Sequence, residues 1–220
     1  DVEDYLCFFV RPKKPQAAIA MLMPTCSYLA YANDRLGLDY PVSQLVSAHV
    51  PVFHKWDMDL AKHPEYGAST YDHHSDGGGV CYSSRRRPIF NIRPRHRMAG
   101  TAVAWQFPAD LSIIYWLEKR GYDYDVITDE DLHQEGVECL SPYQVVINGT
   151  HAEYYSERMM DATEDYVAAG GRLMYLSGNG YYWVVSFRED DLGCMEVRKL
   201  ESGSRAWQAM PGEHYMASNG

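Results

Sequence analysis

Apolar runs and polar breaks alternate along the second half of the chain, and they predict strands followed by helices. Residues 145–147 are apolar and typical of a buried strand, and the polar stretch 148–153 follows them directly. Residues 156–169 then predict a helix that ends at Gly170. Its buried face is predicted to contain Met159, Thr163, Tyr166 and Val167. The polar stretch therefore lies at the carboxyl end of a strand, which is where open α/β sheets form their sites.

Other segments predict further elements of the same sheet. Strands are predicted at 19–23, 124–127 and 173–176, and a helix is predicted at 110–120. Gly121 suits the left-handed cap at the end of that helix. Short strands that alternate with helices imply parallel crossovers, so we expect an α/β fold with a mostly parallel sheet covered on both faces. The strand ends after Ile147 and Leu176 should then be neighbours.

The composition fits a single domain that spans residues 1–220. The chain is 46% hydrophobic and 23% charged, and its length suffices for one substantial core. A formal net charge of −10 argues against nucleic acid as a partner, because such binding depends on neutralising phosphates. An arginine-rich stretch is interpreted as pairing with the acidic surface or with a partner subunit. It contains Arg85, Arg86, Arg87, Arg93, Arg95 and Arg97.

Cysteine usage and hydropathy bear on the location of the protein. The five cysteines are an odd number and contain no CxxC pair, which argues against a disulfide framework or a thiolate zinc cage. A reducing compartment suits them better. The apolar stretch 17–24 is too short to span a bilayer, and the amino terminus has no signal-peptide pattern. We therefore expect a cytoplasmic protein.

Tyrosines and a histidine-containing loop offer ligands for a metal ion. The chain has 18 tyrosines, and those of interest are Tyr28, Tyr31, Tyr66 and Tyr71. The adjacent His73 and His74 point to opposite sides of an extended segment, so at most one of them is a ligand. A set drawn from His73, Asp76, His151 and Glu153 would suit zinc or ferrous iron, whereas phenolates would suit a ferric ion. The residues alone leave both sets open, together with a loop of turns and caps that binds no metal.

The segment 177–180 follows a predicted strand and has the sequence SGNG. Its Gly-x-Gly pattern is typical of a nucleophile elbow, but the central Asn179 cannot attack a carbonyl carbon. The Asn179 amide could instead hold a substrate oxygen, as an oxyanion-hole donor does. A tight turn without a ligand is the alternative.

Four motifs occur in order along the chain: YLAYAN at 28–33, YDHHSDG at 71–77, NGTHAEYY at 148–155 and YLSGNG at 175–180. Together they resemble the large (beta) subunit of N,N-dimethylformamidase, and the resemblance covers nearly the whole chain. It implies a catalytic domain similar to class I glutamine amidotransferases, in which the amidotransferase cysteine is replaced. The corresponding fold is a flavodoxin-like three-layer α/β sandwich.

The resemblance also implies one ferric ion bound by Tyr31, Tyr71 and Glu153. Tyr28 is the alternate for Tyr31, because residues three apart in a helical turn face a similar direction. His73 and His74 would belong to the shell around the metal. The implied catalytic residues are His151, Asn179 and Glu153. Water activated by the metal would attack the amide without a covalent acyl-enzyme, and N,N-dimethylformamide would yield dimethylamine and formate.

The family's large subunit is several times longer than this chain, so we expect a fragment or a divergent short homologue. Family members carry a catalytic carboxylate further along, for which Glu213 is the candidate here. The resemblance implies a small amide substrate, a small partner subunit and oligomerisation of the large subunit, without nucleic acid or membrane. The alternatives are a non-catalytic binding or scaffolding domain on the same fold, and an iron amidase for a different small amide.

Overall fold

The computed structural model of the protein describes residues 3–35, 52–99, 102–188 and 190–199. The strands in these ranges are Ile19–Met23 (β1), Tyr82–Ser84 (β2), Tyr124–Thr128 (β3), Val145–Asn148 (β4), Tyr154–Tyr155 (β5), Arg172–Met174 (β6), Trp183–Arg188 (β7) and Asp191–Val197 (β8). The α-helices are Thr25–Ala30 (α1), Lys55–Lys62 (α2), Phe107–Arg120 (α3), Asp129–Glu135 (α4) and Glu157–Ala168 (α5). Single 3-10 turns lie at Pro64–Tyr66 and Gly136–Cys139.

Four strands form a parallel sheet in the order β3-β1-β4-β6. Leu22 in β1 pairs with Ile127 on one side and with Asn148 on the other, and Ile147 pairs with Met174. Helices α4 and α5 lie in the connections between these strands, as parallel crossovers require. The predicted α/β fold with a parallel sheet is confirmed, and the arrangement is compatible with a three-layer sandwich.

Side chains of the parallel sheet alternate between two core clusters. Ala20, Leu22 and Val146 belong to the larger cluster, together with Met159 and Tyr166 of α5. The opposite face carries the second cluster, which includes Met21, Met23, Ile147, Phe107 and Leu117. Helix α3 therefore covers one face of the sheet, and α5 covers the other.

A second sheet has the order β2-β8-β7-β5. Strand β8 is antiparallel to β2 and β7, whereas the two-residue strand β5 is parallel to β7. The sequence analysis did not predict this sheet: β2 and β5 are too short to give a periodic signal, and the longer strands β7 and β8 were not recognised in residues 183–197. Strand β5 directly follows the polar stretch after β4, so the second sheet borders the carboxyl edge of the first.

Helix α3 begins at Phe107, three residues before its predicted start. The earlier start is possible because Pro108 lies in the first turn, where a missing backbone N–H costs nothing. Gly121 ends the helix in the left-handed conformation with φ of 70°, as predicted.

Helix α5 begins after Ser156, whose hydroxyl accepts a hydrogen bond from the Met159 amide. Met159, Thr163 and Tyr166 are buried, as predicted for one face of the helix. The prediction that Val167 shares this face is wrong, since its side chain is 47% exposed. Successive helical residues are rotated by about 100°, so Val167 points away from the direction of Tyr166.

Strand β6 ends at Met174, before the predicted end at Leu176. It is one of the two outer strands of the parallel sheet in the described part of the chain, and Met174 and Leu176 are 40% and 49% exposed. The amide of Gly178 donates to the carbonyl of Thr150 over 3.2 Å. The predicted contact between the segments after β4 and β6 is therefore confirmed.

The interpretation of the arginine-rich stretch holds only in part, since Arg87 and Arg97 donate to backbone carbonyls instead of acidic side chains. Arg93 contacts Asp4 at 2.6 Å, and Arg86 contacts Asp191 at 3.2 Å. All five cysteines are free thiols. Among the described residues, no helix combines the length and the apolar character needed to cross a bilayer.

Candidate functional site

The site forms where β1 and β4 end side by side. Helix α1 follows β1 and ends at Ala30, with Tyr31 as its capping residue, and residues 149–153 follow β4. Because the two strands are parallel neighbours, both segments leave the sheet at the same edge. The Glu153 amide donates to the hydroxyl oxygen of Ser27 in α1 over 3.1 Å. This bond fixes the Glu153 backbone against the helix that carries Tyr31.

Tyr71 reaches the same place from a loop far along the chain. The amide and the hydroxyl of Thr70 both donate to the carbonyl of Ala30, over 3.0 and 2.9 Å. These bonds attach the loop to the last turn of α1. The rings of Tyr31 and Tyr71 consequently stack, with their centroids 4.3 Å apart.

Two phenols and one carboxylate form a phenol–carboxylate cluster, which comprises Tyr31, Tyr71 and Glu153. The Tyr31 hydroxyl donates to Oε2 of Glu153 over 2.8 Å, and the Tyr71 hydroxyl donates to that of Tyr31 over 2.5 Å. Glu153 is 3% exposed and Tyr31 is 7% exposed. Three oxygen donors thus converge in a place that bulk water scarcely reaches.

Further side chains hold the Glu153 carboxylate from other directions. His151 Nε2 lies 3.0 Å from Oε2 of Glu153 and 3.5 Å from the Tyr31 hydroxyl. The Trp183 indole N–H donates to the other oxygen, Oε1, over 3.1 Å. Both carboxylate oxygens therefore have partners, as a buried carboxylate requires.

Burial governs the ionisation of the two phenols. Desolvation is the main cause that raises the pKa of Tyr31 far above its usual range, and the nearby Tyr71 and Glu153 raise it further. Desolvation and Glu153 also raise the pKa of Tyr71, although its hydrogen bonds with Tyr154 and Tyr31 oppose the increase. Neutral phenols are consequently favoured unless a cation offsets the charge of their ionised forms.

The alternate ligand Tyr28 does not join the cluster. Its hydroxyl donates to the buried carboxylate of Asp110, and its ring packs edge to face with Phe107 in the second core cluster. The expectation that Tyr28 and Tyr31 face a similar direction is therefore wrong. Tyr31 lies at the capping position where α1 ends, so the hydroxyls of the two tyrosines meet different carboxylates.

The other predicted site residues lie at the surface. His73 and His74 are exposed on the loop that follows Tyr71, and their place in the shell around the metal stays a prediction. Asn179 is also exposed and adopts a left-handed conformation with φ of 52°. Its turn nevertheless reaches the site, because a Cβ at Gly178 would lie 3.5 Å from Nδ1 of His151. Glu213 lies outside the described residues.

The donor set bears on the choice of metal. In the described part of the chain, no group of three histidine, cysteine or acidic residues is placed to hold an ion, so the set of His73, Asp76, His151 and Glu153 is not assembled. Two phenols and a carboxylate are hard oxygen ligands that suit a ferric ion. They also carry enough negative charge, when ionised, to balance a trivalent cation.

Several neighbours of the cluster were not predicted as site residues. The Tyr154 hydroxyl lies 2.5 Å from that of Tyr71, and the Trp105 ring centroid lies 4.5 Å from that of His151. Lys199 places Nζ 3.1 Å from the centroid of the Tyr71 ring. Only Tyr154 had a signal in the sequence, since it directly follows Glu153. A cavity of about 660 Å³ among Trp56, Phe90 and His96 has a lining separate from these residues, so chemistry rather than cavity size identifies the site.

Fold and site define an α/β protein with a buried phenol–carboxylate centre at the carboxyl edge of a parallel sheet. The chain belongs to the N,N-dimethylformamidase beta subunit-like family, because the model of the C-terminal part of that family matches residues 1–220. It is 49% identical to the N,N-dimethylformamidase beta subunit of Paracoccus aminophilus and 48% identical to that of Alcaligenes sp.. Both comparisons cover the whole chain, which spans 29% of the length of each relative.

Proposed function

We propose that this chain provides the iron(III) centre of an enzyme that hydrolyses the C–N bond of a small amide, N,N-dimethylformamide being the first candidate. Tyr31, Tyr71 and Glu153 would be the metal ligands. The observation that carries the proposal is the convergence of their three oxygens within a chain of short hydrogen bonds. Membership in the dimethylformamidase family supports the choice of reaction.

The bound ferric ion would supply Lewis acidity and lower the pKa of a water molecule. The residues of the chain would organise the reacting groups around it. His151 lies beside Tyr31 and Glu153 and is positioned to exchange a proton with a molecule held at the cluster. The Asn179 amide, on the turn that lies against His151, would hold a substrate oxygen. With Asn179 at the Gly-x-Gly turn, the attack would proceed without a covalent acyl-enzyme.

The proposal extends to the partner subunits, the fold family and the location of the protein. The relatives are named as beta subunits, and we infer that this chain acts together with a small subunit and with further copies of the large one. We also propose that the sheet has the flavodoxin-like arrangement of class I glutamine amidotransferases, and that the protein is cytoplasmic. The order β3-β1-β4-β6 and the free thiols support these two inferences.

Iron content and the visible spectrum of the purified chain test the proposal. A tyrosinate bound to ferric iron gives a strong charge-transfer band, so we expect a coloured protein with stoichiometric iron. Tyr31→Phe and Tyr71→Phe should each lose the band or most of its intensity. Amide hydrolysis is then measured in the intact enzyme with N,N-dimethylformamide and with larger amides.

Tyr28→Phe is the matched control. This substitution also removes a buried phenol, but that phenol donates to Asp110 rather than to Glu153. The variant should therefore retain both iron and colour. A protein that stays colourless after reconstitution with iron would contradict the metal centre and favour a non-catalytic binding or scaffolding domain. A coloured enzyme that cleaves a different amide would support the proposed metal site and replace N,N-dimethylformamide as the proposed substrate.

A further inference from the structure

Lys199 is a buried cation next to the phenol–carboxylate cluster. Its side chain is buried, with 7% of the residue exposed, and Nζ lies 3.1 Å from the centroid of the Tyr71 ring. The rings of Tyr154 and Trp183 lie 5.5 Å from the same nitrogen. An ammonium group above an aromatic face is attracted by the electrons of the ring, and the attraction grows where water is excluded.

The two phenols of the cluster therefore have different electrostatic surroundings. The Tyr31 hydroxyl faces the Glu153 carboxylate, which is an acceptor. Tyr71 has the Lys199 ammonium over its ring, and its oxygen lies 2.5 Å from the Tyr154 hydroxyl. The Lys199 ammonium thus lies over the Tyr71 ring, whereas the Glu153 carboxylate, which is near both phenols, accepts a hydrogen bond directly from Tyr31.

We propose that Lys199 is a positioning residue that makes Tyr71 the weaker electron donor of the two phenolate ligands and so preserves the Lewis acidity of the metal. This inference rests on the proposed iron(III) centre. The charge of Lys199 would lower the energy of the electrons in the Tyr71 ring, because Nζ lies directly over that ring. Less charge is then transferred from Tyr71 to the metal, and more positive charge remains there for the substrate.

Substitution of Lys199 in the iron-loaded protein tests the inference through the colour of the centre. Lys199→Met keeps an unbranched side chain and removes the charge, so the charge-transfer band should move to longer wavelength while the iron content stays stoichiometric. Lys199→Arg keeps the charge and should leave the band close to its original position. Turnover in the intact enzyme should fall in Lys199→Met and recover in Lys199→Arg.

The iron-free protein supplies an independent readout of the contact. The ε-methylene protons of Lys199 lie near the face of the Tyr71 ring, so their NMR resonances should be shifted upfield, and Tyr71→Leu should abolish that shift. Normal positions for these resonances would overturn the inference. An unchanged band in Lys199→Met, or an equal displacement in Lys199→Arg, would also overturn it while leaving the iron centre intact. A colourless parent protein would instead overturn the proposed function, and this inference with it.

Discussion

Tyr28 and Tyr31 lie three residues apart on α1, yet their hydroxyls bond different buried carboxylates, those of Asp110 and Glu153. Tyr28→Phe leaves the Asp110 carboxylate without its hydroxyl donor. The loss of such a bond to a buried charged group should lower the free energy of unfolding by about 1–3 kcal/mol. Urea unfolding at neutral pH measures the change. Tyr122→Phe, at a tyrosine that is 50% exposed, is the control and should change stability little.

Buried tyrosines should make the iron-free protein sensitive to alkali. Burial raises the pKa values of Tyr28 and Tyr155 well above their usual range, while tyrosines of the unfolded chain ionise near pH 10. The stabilisation from these neutral phenols is present below about pH 10 and is lost as pH rises further, by up to ~1.4 kcal/mol per pH unit for each tyrosine. Unfolding free energies between neutral and strongly alkaline pH measure the loss. Tyr28→Phe should flatten the dependence, and an unchanged slope would contradict the assignment.

Gly149 allows the segment after β4 to pass close to its neighbours. A Cβ at this position would lie 2.6 Å from Cδ of Pro24 and 2.9 Å from Oδ1 of Asp110. Gly149→Ala should therefore displace the segment that carries His151 and cost about 1–3 kcal/mol in unfolding free energy. Thermal unfolding and iron content measure the two effects.

Gly178→Ala is the matched substitution for Gly149→Ala. Its Cβ would lie 3.5 Å from Nδ1 of His151, which is an ordinary contact distance. The melting temperature should consequently stay close to that of the parent protein. Equal destabilisation by the two alanines would argue against the close approach at Gly149.

His151 lies beside the proposed ligands without belonging to them. His151→Ala in the intact enzyme should reduce turnover much more than iron content, because Tyr31, Tyr71 and Glu153 remain in place. Parallel measurements of kcat and bound iron test this separation. Equal loss of both would mean that His151 holds the metal or the local fold.

The parallel sheet could be predicted because its signals are local. Strand β1 is a continuous apolar run that ends where the sequence indicates, and the glycine after α3 adopts the predicted left-handed cap. In the second sheet, the local antiparallel pair β7 and β8 was not recognised in the sequence, and β5 escaped prediction because it has only two residues and pairs with the distant β7. Short strands of this kind depend on tertiary contacts rather than on periodicity.

The site could be predicted only in part, because some of its contacts join segments that are distant in the sequence. Glu153 and His151 follow a strand, so their place at the sheet edge could be inferred from the chain itself. The choice between Tyr28 and Tyr31 depends on where α1 ends, and short-range spacing does not determine that point. The contact of Lys199 with Tyr71 joins distant parts of the chain, and no local pattern in the sequence indicates it.

The outer strand β6 has a consequence for the chain in concentrated solution. Its edge is unpaired in the described part of the chain, and Met174 and Leu176 are both substantially exposed beside it. Open edges of this kind act as templates for strands of other molecules, and exposed apolar side chains strengthen such pairing. This margin of the sheet is therefore one place where isolated polypeptides can associate, and Met174→Lys would oppose such pairing.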